Sequence, residues 1–140
     1  MKAEIFLPED YRPAESEPFM NDLQLEYFRR KLIVWKQELF EQSAETIDNL
    51  QDSARSVPDL ADRASEETDR ALELRTRDRQ RKLVGKIDAA LRRIENGEYG
   101  YCEVSGEPIS LKRLDARPIA TMTLESQEKH ERREKVHRDE

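Results

Sequence analysis

Residues 21–39 read NDLQLEYFRRKLIVWKQEL, and this stretch decides the architecture. Leu25, Phe28, Leu32, Trp35 and Leu39 recur at alternating spacings of three and four, which keeps one helix face apolar and makes it a coiled-coil seam. Asn21 stands where a side-chain oxygen can accept the orphan N–H groups of a first helical turn. Gln24 follows three residues on, in the order of a capping box. The seam weakens and drifts to Ile47, Leu50 and Ala54. Pro58 then stops the helix, because it disfavours helical geometry at Val57 and has no N–H to donate.

Beyond the proline the pattern starts again. Asp59 is placed to cap a second helix that runs towards Asn96, where Gly97 ends it. Leu83, Ile87, Ala90 and Ile94 repeat the seam, so folding back at Pro58–Asp59 brings the two stripes together near the base of an antiparallel hairpin. About 35 residues per arm, at about 1.5 Å each, make an arm of roughly 50 Å. Its base is apolar, its middle charged and its tip acidic. Such a rod buries too little to enclose an active-site pocket, and no nucleophile–base pair or metal cluster is visible, so an enzyme is not expected.

The organisation predicted is mainly α. An extended or poorly ordered segment, 1–20, carries Pro8, Pro13 and Pro18. The coiled-coil hairpin occupies 21–96 with its tip near 57–64, and a small loop-rich knuckle occupies 97–122. A polar C-terminal helix, 123–140, has Thr123 as its cap and Glu125 in its first turn.

Composition agrees. In 140 residues, 40% are charged and 36% hydrophobic, which favours long solvated helices over a sheet-bearing globule. No run approaches the roughly eighteen apolar residues of a membrane span, and the start lacks an apolar secretory core. The single cysteine, Cys102, allows no internal disulfide, which agrees with a reducing cytoplasm. A net charge of −6 argues against a nucleic-acid binder. Yet residues 70–93 hold nine basic side chains against three acids, a net of +6, and such asymmetry can mark a partner-facing surface. Taken alone, the run Arg75–Arg81 reads as a solvated face with helical pairs such as Asp78 with Lys82.

The knuckle runs Glu98-Tyr99-Gly100-Tyr101-Cys102-Glu103-Val104-Ser105-Gly106-Glu107-Pro108-Ile109, then Arg113-Leu114-Asp115-Ala116-Arg117-Pro118. It resembles the zinc knuckle of the DksA/TraR family of RNA polymerase-binding transcription factors, in which Cys-x-x-Cys-Gly precedes Arg-Leu-x-Ala-x-Pro and a second Cys-x-x-Cys. The likeness extends through Leu72–Arg79 and Asp59–Ala64, back to Met20-Asn21 and Phe28-Arg29-Arg30, covering about residues 20–128. Of the four cysteine positions, only Cys102 is kept; the others are Ser105, Thr123 and Ser126. Neutral hydroxyls are poor zinc ligands, so a zinc-finger-like knuckle without zinc is expected. His130 and His137, seven apart on a polar helix, read as surface residues. The acids Glu98, Glu103 and Glu107 are expected to keep Cys102 a packed thiol.

The resemblance implies a monomer that enters the polymerase secondary channel and alters promoter open complexes in the stringent response. It implies neither DNA nor membrane contact. At the tip it places function on Asp59, Asp62 and Ala64. By the residues alone, the two aspartates share one face of a first turn and can cap it and complement its dipole. The resemblance matches Leu83, Lys86 and Arg117 with residues that bind guanosine tetraphosphate (ppGpp) as co-effector. Arg and Lys suit phosphate oxygens through charge-assisted hydrogen bonds. Gln127 stands where a lysine is expected and Gly85 replaces a basic residue, with Lys129 nearby. A Gre-type transcript-cleavage factor is the neighbouring alternative, disfavoured because the tip is Asp-x-x-Asp and not an adjacent Asp-Glu pair. A structural coiled-coil adaptor without polymerase binding is the other.

Overall fold

Two long helices carry most of the chain. The structure, a computed structural model, describes residues 5–55 and 60–139; the side chains of residues 46, 49–55, 60–63 and 138–139 lie outside that description. Helix α1 spans Asp22–Arg55, α2 Leu60–Glu95, α3 Leu111–Ala116 and α4 Leu124–Asp139, with no strand among the described residues. This is the mainly α architecture expected. Pro58 and Asp59, the expected break and cap, lie outside the described residues.

Helix ends follow their sequence signals closely. At the start of α1, Asn21 Oδ1 accepts the Gln24 N–H at 2.9 Å. The reciprocal bond of a capping box is displaced by one residue: Gln24 Oε1 accepts the N–H of Met20, at 2.8 Å, while the Asn21 N–H goes to Pro18 O. The shift follows from Met20, which enters the helix in the left-handed region with φ 53°. At the end of α2, Gly97 sits at φ 74°, and the Glu98 and Gly97 N–H groups reach Arg93 O and Ile94 O, the pairing of a Schellman motif. Thr123 Oγ1 accepts the Ser126 N–H at 3.2 Å and caps α4.

The lead-in departs from expectation. Its described residues, from Ile5, form turns closed by Tyr11 N–H to Pro8 O and Glu17 N–H to Ala14 O, and these are tied to α1. The fully buried Gln24 donates to Ala14 O, Arg30 donates to Ile5 O, and the Tyr11 ring meets Tyr27 edge-on at 6.1 Å. Prolines favour extended geometry locally, but these tertiary partners hold the segment folded.

The chain divides into two compact units: residues up to Leu32 together with those from Ala89, and Ile33–Asp88. The first unit holds the larger core. Phe28, Leu32, Ile94, Tyr99, Ile109 and Leu114 are buried there, with the Phe28 and Tyr99 rings 5.5 Å apart. The Tyr99 hydroxyl is satisfied by Pro118 O at 2.8 Å. An antiparallel bridge, Tyr101 to Pro108, closes the knuckle turn. Gly100, at φ 92°, lies where an added Cβ would meet the Met20 side chain at 3.0 Å, so a side chain there is strained and crowds Met20. Tyr101 is 38% exposed and meets Phe19 edge-on.

In the second unit α1 and α2 run antiparallel, as the pairs Lys36–Asp88 and Ser43–Gln80 show. Leu39 and Ile87 are its buried seam residues. Further out the contacts turn polar: Gln80 bridges Ser43 and Gln42. Phe40, Leu72 and Leu74 are exposed.

Candidate functional site

On α2, Arg75, Arg79, Lys82 and Lys86 follow at spacings of four, three and four, which puts them along one side of the helix. All four are exposed. Among the described residues none of the four has an ion-pair or hydrogen-bond partner, and the expected Asp78–Lys82 pair does not form. Like charges at such spacings repel by about 0.2–0.5 kcal/mol per pair, so this stripe works against the helix that carries it.

The residues matched at the hairpin tip are only partly visible. Asp59 lies outside the described residues, and Asp62 falls in the first turn of α2 with its side chain outside the description. Ala64 is exposed. Of the effector residues, Leu83 (half-buried) and Lys86 (exposed) sit three apart on α2 in the second unit. Arg117 is in the first unit, exposed, as the C-cap of α3. Gln127 is half-buried and donates to Glu131, and Lys129 is exposed. A Cβ on Gly85 would meet nothing within 4 Å, so sterics do not explain the glycine.

Cys102, Ser105, Thr123 and Ser126 come together in the first unit. Cys102 Sγ lies 3.4 Å from Ser126 Oγ and accepts the Ser105 N–H at 3.5 Å; Thr123 Oγ1 is 3.1 Å from Ser126 Oγ. Burial pushes the buried Cys102 thiol up. The Ser105 and Ser126 hydroxyls and the Ser105 and Thr123 N–H groups outweigh it and bring the thiol down to about 6. The expectation that neighbouring acids would keep it protonated is therefore corrected. Glu98, Glu103 and Glu107 are exposed and solvent-screened, whereas these donors are in contact. His130 is exposed and paired with Glu134. One thiol and three hydroxyls do not fit structural zinc, which takes four thiolate or imidazole ligands.

Two features escaped the sequence reading. One is α3 itself, capped by Ser110 Oγ accepting the Arg113 N–H. The other is the anchor of α3 on α1. Asp115 Oδ1 accepts the Tyr27 hydroxyl at 2.6 Å and Lys31 Nζ at 2.7 Å, and Lys31 also donates to Asp115 O at 2.6 Å. Lys31 and Tyr27 hold the Asp115 carboxyl below the usual carboxylate range; burial, then this carboxylate, push Tyr27 up to about 12. Tyr27 and Lys31 lie four apart on one helix face, but nothing in the sequence points from them to residue 115.

Comparison with known proteins places this geometry. Residues 24–94 match the family described as DnaK suppressor protein DksA, N-terminal domain, and residues 97–132 match the prokaryotic dksA/traR C4-type zinc finger. The chain is 68% identical over 130 residues to the RNA polymerase-binding transcription factor DksA of Caulobacter vibrioides, covering 93% of this chain and 92% of that one. It is 42% identical over 127 residues to its namesake in Escherichia coli K12, covering 91% and 84%. The structure of transcription factor DksA2 from Pseudomonas aeruginosa superposes with a TM-score of 0.79 at 41% identity, covering 86% and 95%. The chain belongs to the DksA/TraR family.

Proposed function

We propose that the protein is a transcription regulator that binds RNA polymerase through its secondary channel and, with guanosine tetraphosphate as co-effector, alters the lifetime of promoter open complexes in the stringent response. The observation that carries this is the 68% identity, across 93% of the chain, to a relative named for polymerase binding. The basic stripe of α2, without a partner among the described residues, supports it: an acidic chain that keeps a destabilising positive face offers that face to an acidic partner surface. The protein acts as a monomer in the cytoplasm, without enzymatic activity and without contacting DNA. No helix among the described residues is long and apolar enough to cross a membrane. Leu83, Lys86 and Arg117 are the residues assigned to the effector, Lys86 and Arg117 by their suitability for phosphate oxygens.

In vitro transcription from a stable-RNA promoter tests this. Added protein is expected to shorten open-complex lifetime and lower transcript yield, and alarmone to deepen both effects. No effect, together with failure to co-purify with core polymerase, would leave the coiled-coil adaptor as the better account.

The knuckle works without metal. Elemental analysis of purified protein is expected to find far less than one zinc per chain, and chelator to leave the helical signal and the unfolding midpoint unchanged. Stoichiometric zinc would refute this, because Cys102, Ser105, Thr123 and Ser126 would then have to coordinate it.

A further inference from the structure

We propose that the Tyr27–Asp115–Lys31 staple is a positioning device that sets the alarmone affinity of Arg117. This rests on the reading of Arg117 as a phosphate-contacting residue. Helix α3 has six residues and too few internal bonds to fix the direction of its own end. The staple supplies what the helix lacks. Lys31 Nζ grips both the carboxylate and the backbone carbonyl of Asp115, and the carbonyl is one of the orphan acceptors at the end of α3. Tyr27 holds the same carboxylate from one turn earlier on α1. Arg117 follows two residues later.

The backbone of Arg117 is pinned on both sides. Its N–H donates to Arg113 O at 2.7 Å, and its carbonyl accepts the Ala120 N–H at 3.0 Å. The next residue, Pro118, is buried and accepts the Tyr99 hydroxyl. The Arg117 side chain, by contrast, is exposed and has no partner among the described residues. A free guanidinium on an over-determined backbone is a preorganised anion contact, and preorganisation lowers the ordering cost of binding. The arrangement therefore transmits a change at Lys31 or Tyr27 to Arg117 through α3, with no contact of its own to the ligand.

The test is alarmone titration of the polymerase-bound full-length protein, for wild type, Lys31→Met, Lys31→Arg, Tyr27→Phe, Arg117→Ala and the double variant Lys31→Met with Arg117→Ala. Lys31→Met is expected to weaken alarmone binding by about three- to tenfold, the size of a coupling within one contact network, and Tyr27→Phe by less. Lys31→Arg is expected to restore it. Polymerase affinity without alarmone and the thermal unfolding midpoint of Tyr27→Phe are expected to stay at wild-type values. The double variant is expected to bind no more weakly than Arg117→Ala alone, which a general loosening of the knuckle would not produce. If Arg117→Ala weakens binding while neither Lys31→Met nor Tyr27→Phe does, the staple is only structural and the proposal is wrong. Additive losses in the double variant would also overturn it, since Lys31 would then act independently of Arg117. If Arg117→Ala itself has no effect, the underlying effector reading fails, and the staple proposal falls with it.

Discussion

Phe28→Ala is expected to destabilise the hairpin base and the knuckle together, by about 3–5 kcal/mol, the usual cost of emptying a buried phenylalanine site. Phe28 has no exposed surface, and its ring lies 5.5 Å from Tyr99 and 5.1 Å from Tyr27. It joins α1 to the segment that follows α2, so its loss removes packing from two elements at once. Domain stabilities lie near 5–15 kcal/mol, so this one change takes a large share. The effect is large here for a further reason. One thiol and three hydroxyls fit structural zinc poorly, so the knuckle is expected to depend on this apolar core for its stability. Urea unfolding followed by circular dichroism measures it, with Phe40→Ala as control. Phe40 is 55% exposed, and its replacement is expected to change stability by within about 0.5 kcal/mol. Equal, small losses for both variants would show that Phe28 is not the keystone of that core.

The same core shows what the sequence could reveal. Phe28, Leu32 and Leu39 fall on the face that the three-and-four spacing selects, and all are buried. The helix ends at Asn21, Gly97 and Thr123 are local chemistry, settled by bonds spanning five residues or fewer, and each signal held. Leu25 and Trp35 share the period yet are only half-buried, because periodicity gives a face and not the depth of its cover.

What stayed hidden was non-local. The Tyr27–Asp115 bond joins residues 88 positions apart, and no pattern in either segment announces the other. Helix α3 is too short to show a period, and its cap lacks the Glu or Gln that makes a capping box readable. The lead-in misled for a related reason: three prolines describe its local preference, while Gln24 and Tyr27, later in the chain, decide its path. For the candidate site, the hydroxyl residues Ser105, Thr123 and Ser126 beside the single Cys102 were legible residue by residue. That the hydroxyl side chains gather into a hydrogen-bonded cluster with Cys102, and that their donors favour its thiolate, needed distances. The basic stripe was visible as composition, but its lack of partners among the described residues was not.

Asp62→Asn is expected to weaken regulation roughly ten- to a hundredfold while leaving the fold and polymerase binding intact. The substitution nearly preserves shape and removes one charge, so it separates the two roles a carboxylate can have at this position. Asp62 falls in the first turn of α2, where a negative side chain complements the helix dipole. That role is worth about 0.3–1 kcal/mol, and asparagine keeps part of it. Unfolding is therefore expected to shift by less than about 1 kcal/mol. If instead the carboxylate acts at the magnesium-centred active site of the polymerase, the lost interaction is one between charged groups. Such contacts are worth about 1.5–3 kcal/mol, which corresponds to roughly ten- to a hundredfold in the effect on open-complex lifetime. Polymerase affinity is expected to hold, because the basic stripe on α2, from Arg75 to Lys86, is untouched. Promoter-complex decay measured at saturating protein, beside a binding titration, separates the outcomes. Regulation that survives the change at full strength would reduce Asp62 to a helix-end residue and move the functional tip elsewhere on the hairpin.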